Sequence, residues 1–198
     1  MKPVSTAAVR DRLREVREEV ILDAAYELMA EHGYGDMSMD EVAARTGMSK
    51  ATIYQFFPSK QELAVGVVVR NMARNMAILD GLDSRMSPIQ RMERGLRQCL
   101  ASKAQFDAGR LGLPQALIRE HPRYHKMRGR LFERVTAMLE DAKAAGEVPA
   151  DITAPMAVAL CEGLFHMNSD HLDGNPAERD QLIEGLVTII FRGLRRAE

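Results

Sequence analysis

The chain has 198 residues, 46% of them hydrophobic, which is enough to bury a core and excludes a disordered protein. The formal net charge is −1, so overall charge argues neither for nor against a nucleic-acid partner. Residues 1–17 hold five basic and two acidic side chains, whereas residues 1–60 hold eight and ten. Any contact with DNA must therefore depend on the placement of individual side chains.

The chain has neither a signal-peptide pattern at its start nor an apolar run long enough to span a bilayer. Cys99 and Cys161 stand 62 positions apart and form no ligand or redox motif. Two scattered cysteines are typical of a reducing compartment. We therefore expect a cytoplasmic protein with buried thiols and no membrane partner.

The first element is a long helix. Helix-forming residues dominate the whole chain, and no segment alternates at period two. An apolar stripe with helical spacing begins this helix: Val9, Leu13, Val16, Val20, Ile21, Ala24, Ala25 and Leu28. Gly33 then supplies a stop signal, so we predict a helix from near Thr6 to near His32.

Two short helices follow. Ser38 and Glu41 have the spacing of a capping box, and Gly47 ends that helix after about two turns. Ser49 can cap a third helix, and Pro58 stops it. The segment therefore predicts two helices joined by a tight, glycine-containing turn.

The rest of the chain predicts further helices. Ser59 can cap a fourth helix, which we expect to extend to near Ile78. Glycine and proline punctuation then favours helices at 88–105, 108–119, 122–145, 154–171 and 176–195. The predicted fold is all-α with about nine helices. It comprises a three-helix DNA-binding domain at 1–60 and a helical ligand-binding and dimerisation bundle at 61–198.

The segment 38–57 has the organisation of a helix-turn-helix, in which the second helix enters the major groove. Ile53 and Phe57 lie four residues apart and are expected to face the protein. Five positions are left toward solvent or DNA: Lys50, Ala51, Thr52, Tyr54 and Gln55. Thr52 and Tyr54 can donate to phosphates, and Lys60 can neutralise one. An ordinary helical hairpin with a polar surface is the alternative interpretation.

These residues resemble the DNA-binding domain of the tetracycline-repressor (TetR) family. The family pattern is an aliphatic–Ala pair, a glycine turn and then Ser-x-x-Thr-aliphatic-Tyr-x-x-Phe-x-x-Lys-x-x-Leu. The matching positions here are Val42, Ala43, Gly47, Met48, Ser49, Thr52, Ile53, Tyr54, Phe57, Lys60 and Leu63. The preceding helix matches too, so the resemblance covers about residues 17–63.

The resemblance implies a two-fold dimer that regulates transcription, usually as a repressor, and binds a small ligand in its C-terminal domain. It places four residues where the family contacts phosphates: Ser38, Ser49, Tyr54 and Lys60. It places three where the family reads bases or nearby backbone: Lys50, Ala51 and Gln55. Two residues depart from the pattern. Thr46 replaces a frequent Ala, and Phe56 replaces a polar side chain but could still contact a thymine methyl group.

The last two predicted helices are apolar on nearly every side. Pairing them with their symmetry mates in a four-helix bundle would bury the second apolar face, and the resemblance places the family's dimer interface there too. Burial inside a monomer is the alternative. The candidate interface residues are Ala157, Cys161, Leu164, Leu182, Leu186, Ile189 and Ile190.

An effector site is expected on the middle helices. Thirteen methionines suit an adaptable apolar cavity, although a methionine in a helical bundle is often plain core. The candidate lining residues are Met92, Cys99, Phe106, Met127, Leu131, Met138, Phe165 and His166. The sequence identifies neither the effector nor the operator.

Other chemistry is less supported. His121 and His125 are four residues apart, but Pro122 begins the helix between them, which favours surface or capping histidines. Cys161 and His166 are five apart and point differently, so we expect no metal. The basic run from Arg10 to Arg17 fits either an arm toward DNA or a solvated helix face.

The sequence thus predicts a ligand-responsive DNA-binding regulator, a repressor that binds a palindromic operator and is released by a small, largely apolar effector. We expect a homodimer that binds double-stranded DNA at an inverted repeat, without a cofactor and without enzymatic activity. A helical ligand-binding or protein-interaction dimer that does not bind an operator is the main alternative. A helical enzyme is the third.

Overall fold

The computed structural model describes residues 5–106, 111–166 and 175–194. Over these ranges the chain is all-α, with nine helices and no strand. The helices are α1 (Thr6–Asp36), α2 (Met39–Thr46), α3 (Lys50–Phe56), α4 (Lys60–Asp80), α5 (Pro88–Gln105), α6 (Gln115–Arg119), α7 (Pro122–Ala144), α8 (Ala154–His166) and α9 (Pro176–Leu194). The predicted fold class is confirmed.

Most helix boundaries lie within a few residues of the predicted ones because capping and stop signals are local. The exception is the predicted helix 108–119, which is wrong over residues 111–114. There the chain forms a loop in which Gly112 has φ 65°, and Leu111 and Leu113 are buried. The amide of Tyr34 donates to the carbonyl of Leu111 at 2.7 Å. Tertiary burial and this hydrogen bond favour the loop over the helix. Residues 107–110 and 167–171, also in predicted helices, lie outside the described residues.

Helix α1 behaves differently along its length. Gly33 has φ 85° and ψ 160°, so the helix is interrupted where a stop was predicted. The apolar stripe is buried only from Ile21 onward. Its first four residues are exposed: Val9, Leu13, Val16 and Val20. Helical periodicity alone therefore did not indicate which part of the stripe packs.

The chain forms two compact units. The first comprises Met1–Arg70 and Arg110–Tyr124. Its core is built from side chains of α1 to α4 that are almost completely buried: Ile21, Ala25, Met29, Val42, Ile53, Phe57, Leu63, Val65 and Val67. The Arg70 guanidinium ties α4 to α1, lying 2.7 Å from an Asp23 oxygen and 3.2 Å from a Glu19 oxygen.

The second unit comprises Asn71–Gly109 and His125–Glu198. Its main core cluster joins α5, α7, α8 and α9, with Leu139 and Val187 completely buried. Arg97 on α5 pairs with Glu184 on α9. The predicted division into a DNA-binding domain at 1–60 and a ligand-binding and dimerisation domain at 61–198 is a division by function, and it stays a prediction.

Within the described ranges, none of the helices combines the length and apolarity needed to cross a bilayer.

Candidate nucleic-acid interface and effector region

The turn between α2 and α3 is fixed by local hydrogen bonds. The Ser38 hydroxyl accepts from the Glu41 amide at 3.2 Å, and a Glu41 carboxylate oxygen accepts from the Ser38 amide at 2.8 Å. The Ser38 hydroxyl also donates to this carboxylate oxygen at 2.8 Å, and the bonds donated by the Ser38 hydroxyl and amide lower the pKa of the Glu41 carboxyl. Gly47 ends α2 with φ 65° and ψ 15°, a left-handed backbone conformation that residues other than glycine adopt only at a cost in free energy. The predicted capping box and turn are confirmed.

Thr46, which departs from the family pattern, has a clear local role. Its hydroxyl donates to the Val42 carbonyl at 2.9 Å and lies within 3.4 Å of the Met48 amide, from which it accepts. The side chain therefore satisfies backbone groups at the end of α2 and at the start of the turn. An alanine here could form neither bond.

Helix α3 is capped and anchored as predicted. The Ser49 hydroxyl accepts from the Thr52 amide at 3.1 Å and lies 2.8 Å from the Thr52 hydroxyl. Ile53 is completely buried, and Phe57 is 1% exposed just after the helix ends. Two large apolar side chains thus hold one face of this short helix against the first unit, and its opposite face is directed outward.

The outward face of α3 carries two predicted base-reading positions, Ala51 and Gln55, together with Tyr54, which is predicted to contact a phosphate. Ala51, Tyr54 and Gln55 are exposed, with Tyr54 at 41%. Phe56 is half-buried, and the Arg14 guanidinium of α1 lies 5.8 Å from its ring centroid, within cation–π distance. One residue of the basic run therefore lies beside the candidate interface.

The two lysines of the candidate interface are held by protein groups. The Lys50 ammonium lies 2.8 Å from an Asp40 carboxylate oxygen, and this hydrogen bond raises the pKa of Lys50. The Lys60 ammonium donates to the Gly35 carbonyl at 2.8 Å and lies 4.6 Å from the Tyr34 ring centroid. Both side chains are pre-positioned, and the charged Lys50 is already paired with a carboxylate.

Sequence reasoning missed a fork-shaped ion pair that fastens α2 to α1. The Arg45 guanidinium donates to both oxygens of the Glu31 carboxylate, at 2.6 and 2.7 Å. A Glu27 oxygen lies 3.6 Å away. The hydrogen bonds lower the pKa of Glu31 and raise that of Arg45. The partners are 14 residues apart, so no local pattern indicated the pair.

A second apolar cluster in the second unit brings together five of the eight predicted effector residues. Cys99 and Met138 are buried with Leu79, and Met92, Leu131 and Phe165 pack against them while half-buried. The other three are not among the described members of this cluster. Phe106 caps the end of α5, Met127 lies on α7, and the side chain of His166 is outside the described residues. The structure therefore groups candidates from α5, α7 and α8.

Both cysteines lie in this region as protonated thiols. Burial, with a smaller contribution from Cys161, raises the pKa of Cys99 to about 12. Burial and the nearby Glu162 raise that of Cys161 to about 11. A redox sensor needs a low-pKa thiolate, which neither residue provides.

The predicted dimer residues divide into two groups. Ala157 and Leu164 are buried in the core cluster of the single chain. Ile189 is 72% exposed, and four others are partly exposed: Cys161, Leu182, Leu186 and Ile190. On α8, the neighbouring residues Met156 and Leu160 are also exposed, although the sequence did not single them out.

The histidines considered as metal ligands have other partners or positions. His121 Nε2 lies 2.9 Å from a Glu62 oxygen, and His121 Nδ1 accepts from the Arg123 amide at the start of α7. This is the capping role expected of a residue before Pro122. Among the described residues, no group of three or more potential ligands is arranged to hold a metal. Asp170 and His171, which follow Cys161 and His166 in the sequence and were considered with them as ligands, lie outside the described residues.

Helices α2 and α3 are joined by a tight turn, and α3 is anchored by its buried apolar face and exposes polar side chains on the other face. This arrangement defines a helix-turn-helix protein. Residues 21–67 match the family model described as bacterial regulatory proteins, tetR family. Residues 21–67 therefore form a helix-turn-helix DNA-binding domain of the TetR family.

Similar proteins agree with this assignment. The HTH-type transcriptional activator FasR of Mycolicibacterium smegmatis is 42% identical over 59 residues, which is 30% of this chain and 27% of FasR. The HTH-type transcriptional repressor KstR of Rhodococcus jostii is 28% identical over 152 residues, which is 69% of this chain and 68% of KstR. The crystal structure of a TetR transcriptional regulator from Streptomyces coelicolor is 25% identical, with a TM-score of 0.66. That match covers 91% of this chain and 99% of the other. The chain spans only 27% to 46% of the first curated relatives it matches.

Proposed function

We propose that this chain forms a homodimer that represses transcription from an inverted-repeat operator and is released by a small, largely apolar effector. The observation that carries the proposal is the outward face of α3, where Ala51, Tyr54 and Gln55 are exposed on a helix anchored by Ile53 and Phe57. A protein that acts on the chromosome works in the cytoplasm, where we expect this one.

DNA contacts divide into two kinds. Tyr54 and Lys60, together with Ser38, Ser49 and Thr52, are proposed to contact phosphates, which position the protein without reading sequence. The amides at the starts of α2 and α4, after the Ser38 and Ser59 caps, can assist because helix N-termini attract anions.

Lys50, Gln55 and Ala51 are proposed to approach the base edges, with the half-buried Phe56 beside them. Lysine can donate to guanine acceptors, and glutamine can form two hydrogen bonds with adenine. Lys50 is poised for this contact in its pair with Asp40.

Dimerisation is proposed to use α8 and α9. Ile189, Met156 and Leu160 are large apolar side chains that a single chain leaves exposed. A second copy could cover them, and a two-fold dimer would then present two α3 helices to two half-sites. The relative named as a repressor matches 69% of this chain, which supports repression as the direction of control.

The operator proposal is tested by selecting binding sites from random DNA with the full-length protein. We expect an inverted repeat with half-sites about one helical turn apart. Lys50→Ala and Gln55→Ala should change the preferred half-site, since a good base contact discriminates by about 1–3 kcal/mol. Tyr54→Phe and Lys60→Ala should weaken binding on all sites alike. Lys126→Ala, an exposed lysine on α7, is the matched control.

Selected sites without dyad symmetry would contradict the dimer geometry. An unchanged site preference in both the Lys50 and Gln55 variants would refute the proposed base contacts. Failure to select any sequence would favour a ligand-binding or interaction dimer that does not bind an operator.

The dimer is tested by Ile189→Glu. The side chain is mostly exposed in the single chain, so the charge should leave its fold intact but would be buried in the proposed interface. We expect sedimentation to show a dimer for the wild type and a monomer for the variant. A variant that sediments as a dimer would place the interface elsewhere.

A further inference from the structure

Three buried side-chain atoms in the second unit have no hydrogen-bond partner among the described residues: Asn75 Oδ1, Arg91 Nε and Thr136 Oγ1. Of these three residues, Asn75 alone is buried as a whole. Asn75 on α4 is only 7% exposed, and its Oδ1 atom has no hydrogen-bond partner among the described residues. A buried acceptor without a donor destabilises a protein, so such groups are rare in native structures. A donor that the described residues do not supply would satisfy this oxygen.

Asn75 adjoins the apolar cluster of Leu79, Cys99 and Met138. The Cys99 thiol lies 3.9 Å from the Asn75 backbone carbonyl, so α5 and α4 are in contact at this turn. Asn75 and Leu79 are four residues apart on α4 and therefore share a helix face. Asn75 therefore lies on the same face of α4 as Leu79, which is a buried member of the cluster.

The cluster fits an uncharged ligand. Its described members are apolar side chains and a thiol, and burial keeps that thiol protonated with its pKa raised to about 12. Met92, Leu131 and Phe165 are only partly buried, so the cluster is not sealed from solvent. Methionine side chains at its centre and edge can adjust to a guest.

A cationic group lies close by but is already engaged. Lys103 is 8% exposed and lies one turn beyond Cys99 on α5. It takes part in an interaction of its own. An anionic effector would compete with that interaction, whereas a neutral hydrogen-bond donor would meet an Asn75 oxygen that has no partner among the described residues.

We propose that Asn75 is the polar anchor of the effector site and that the effector is an uncharged, largely apolar molecule donating a hydrogen bond, from a hydroxyl or an N–H group, to the side-chain oxygen of Asn75. This inference rests on the proposed effector response and adds the chemical class of the effector.

The experiment compares three probes of matched shape by titration calorimetry on the full-length protein. The first, 4-butylphenol, carries a donor; the second, 4-butylanisole, has the same oxygen without its proton; the third, 4-butylbenzoate, is an anion. We expect the phenol to bind at least about tenfold more tightly than the anisole, a ratio equal to about 1.4 kcal/mol.

Two variants separate the anchor from the rest of the site. Asn75→Leu should abolish the preference for the phenol while the anisole binds as well as before, because only the acceptor is lost. Met76→Leu, a volume-conserving change at the next buried position, should keep the preference. The wild-type comparison of phenol with anisole needs no variant, so it stands even if Asn75→Leu does not fold.

The outcomes distinguish failure of the Asn75 anchor from failure of the effector site as a whole. Equal affinities for phenol and anisole, or a preference that survives in Asn75→Leu, would overturn the anchor but leave the effector site standing. Tightest binding of the benzoate would overturn the neutral class in favour of a cation such as Lys103. Absence of binding by all three probes at millimolar concentration would overturn the apolar effector site itself.

Discussion

Replacing Gly66 by alanine tests how tightly the support beneath α3 is packed. Gly66 lies inside α4, and a Cβ atom added there would lie 2.7 Å from a ring carbon of Phe57 and 3.1 Å from a methyl group of Leu22. Real Cβ contacts are longer than the first of these distances. Phe57 and Leu22 are 1% and 3% exposed, so neither has free space in which to move.

Two opposing effects set the magnitude. Alanine favours a helix interior over glycine by about 0.5–1 kcal/mol, and overpacking a full core costs about 1–3 kcal/mol. We therefore expect Gly66→Ala to lower the free energy of unfolding by about 1 kcal/mol. Gly129→Ala on α7 is the matched control, since no atom lies within 4 Å of its added Cβ. It should raise stability by about 0.5–1 kcal/mol.

The assay is urea unfolding followed by circular dichroism, at one protein concentration because dimerisation links stability to concentration. The two variants should differ by about 2 kcal/mol, or about 4–8 °C in melting temperature. If Gly66→Ala were as stable as Gly129→Ala, Phe57 would not be locked against α4. Under the proposed function, Gly66→Ala should also weaken operator binding, because Phe57 supports α3.

Two further predictions concern the cap and the thiols. Ser38→Ala removes the hydroxyl that accepts from the Glu41 amide, so urea unfolding should show a free energy of unfolding lower by about 1 kcal/mol. An unchanged unfolding midpoint would mean that the retained bond from the residue 38 amide to the Glu41 carboxylate is enough to cap α2. With its pKa raised to about 12, Cys99 has only about one thiolate in ten thousand molecules at pH 8, so iodoacetamide should modify it slowly in the native protein and rapidly in urea. Rapid native modification would contradict its burial.

The sequence predicted best what is decided by neighbouring residues. The Ser38 and Ser59 caps, the positive φ at Gly47 and the inward pair of Ile53 and Phe57 all follow from spacings of four residues or fewer. The outer face of α3 was predictable for the same reason, since fixing one face of a helix determines the other.

What the sequence missed depends on distant contacts. The loop at Leu111 is stabilised by burial and by a hydrogen bond from Tyr34, and both outweigh its helical tendency. The apolar residues that begin at Val9 recur with the same helical spacing as those that begin at Ile21, yet only the second series reaches a core. Pairing of Arg45 with Glu31 required knowing how α1 and α2 pack.

Spacing also gave no sign that Asn75 would be buried with no partner for its oxygen in the part of the chain that the structure describes.

The pairing of Lys50 with Asp40 bears on how ionic strength controls this protein. Affinity for DNA falls with salt because each cationic side chain that neutralises a phosphate releases a condensed cation from the DNA. A lysine that is already paired with a carboxylate of the same protein, as Lys50 is with Asp40, adds almost no net charge to the interface and releases almost no cation from the DNA. Under the proposed function, Lys50 would therefore distinguish bases while adding little to the attraction for random sequence. The salt dependence of operator binding should then underestimate the number of lysines at the interface. A chain with a net charge of −1 would thus avoid prolonged binding to the bulk of the chromosome.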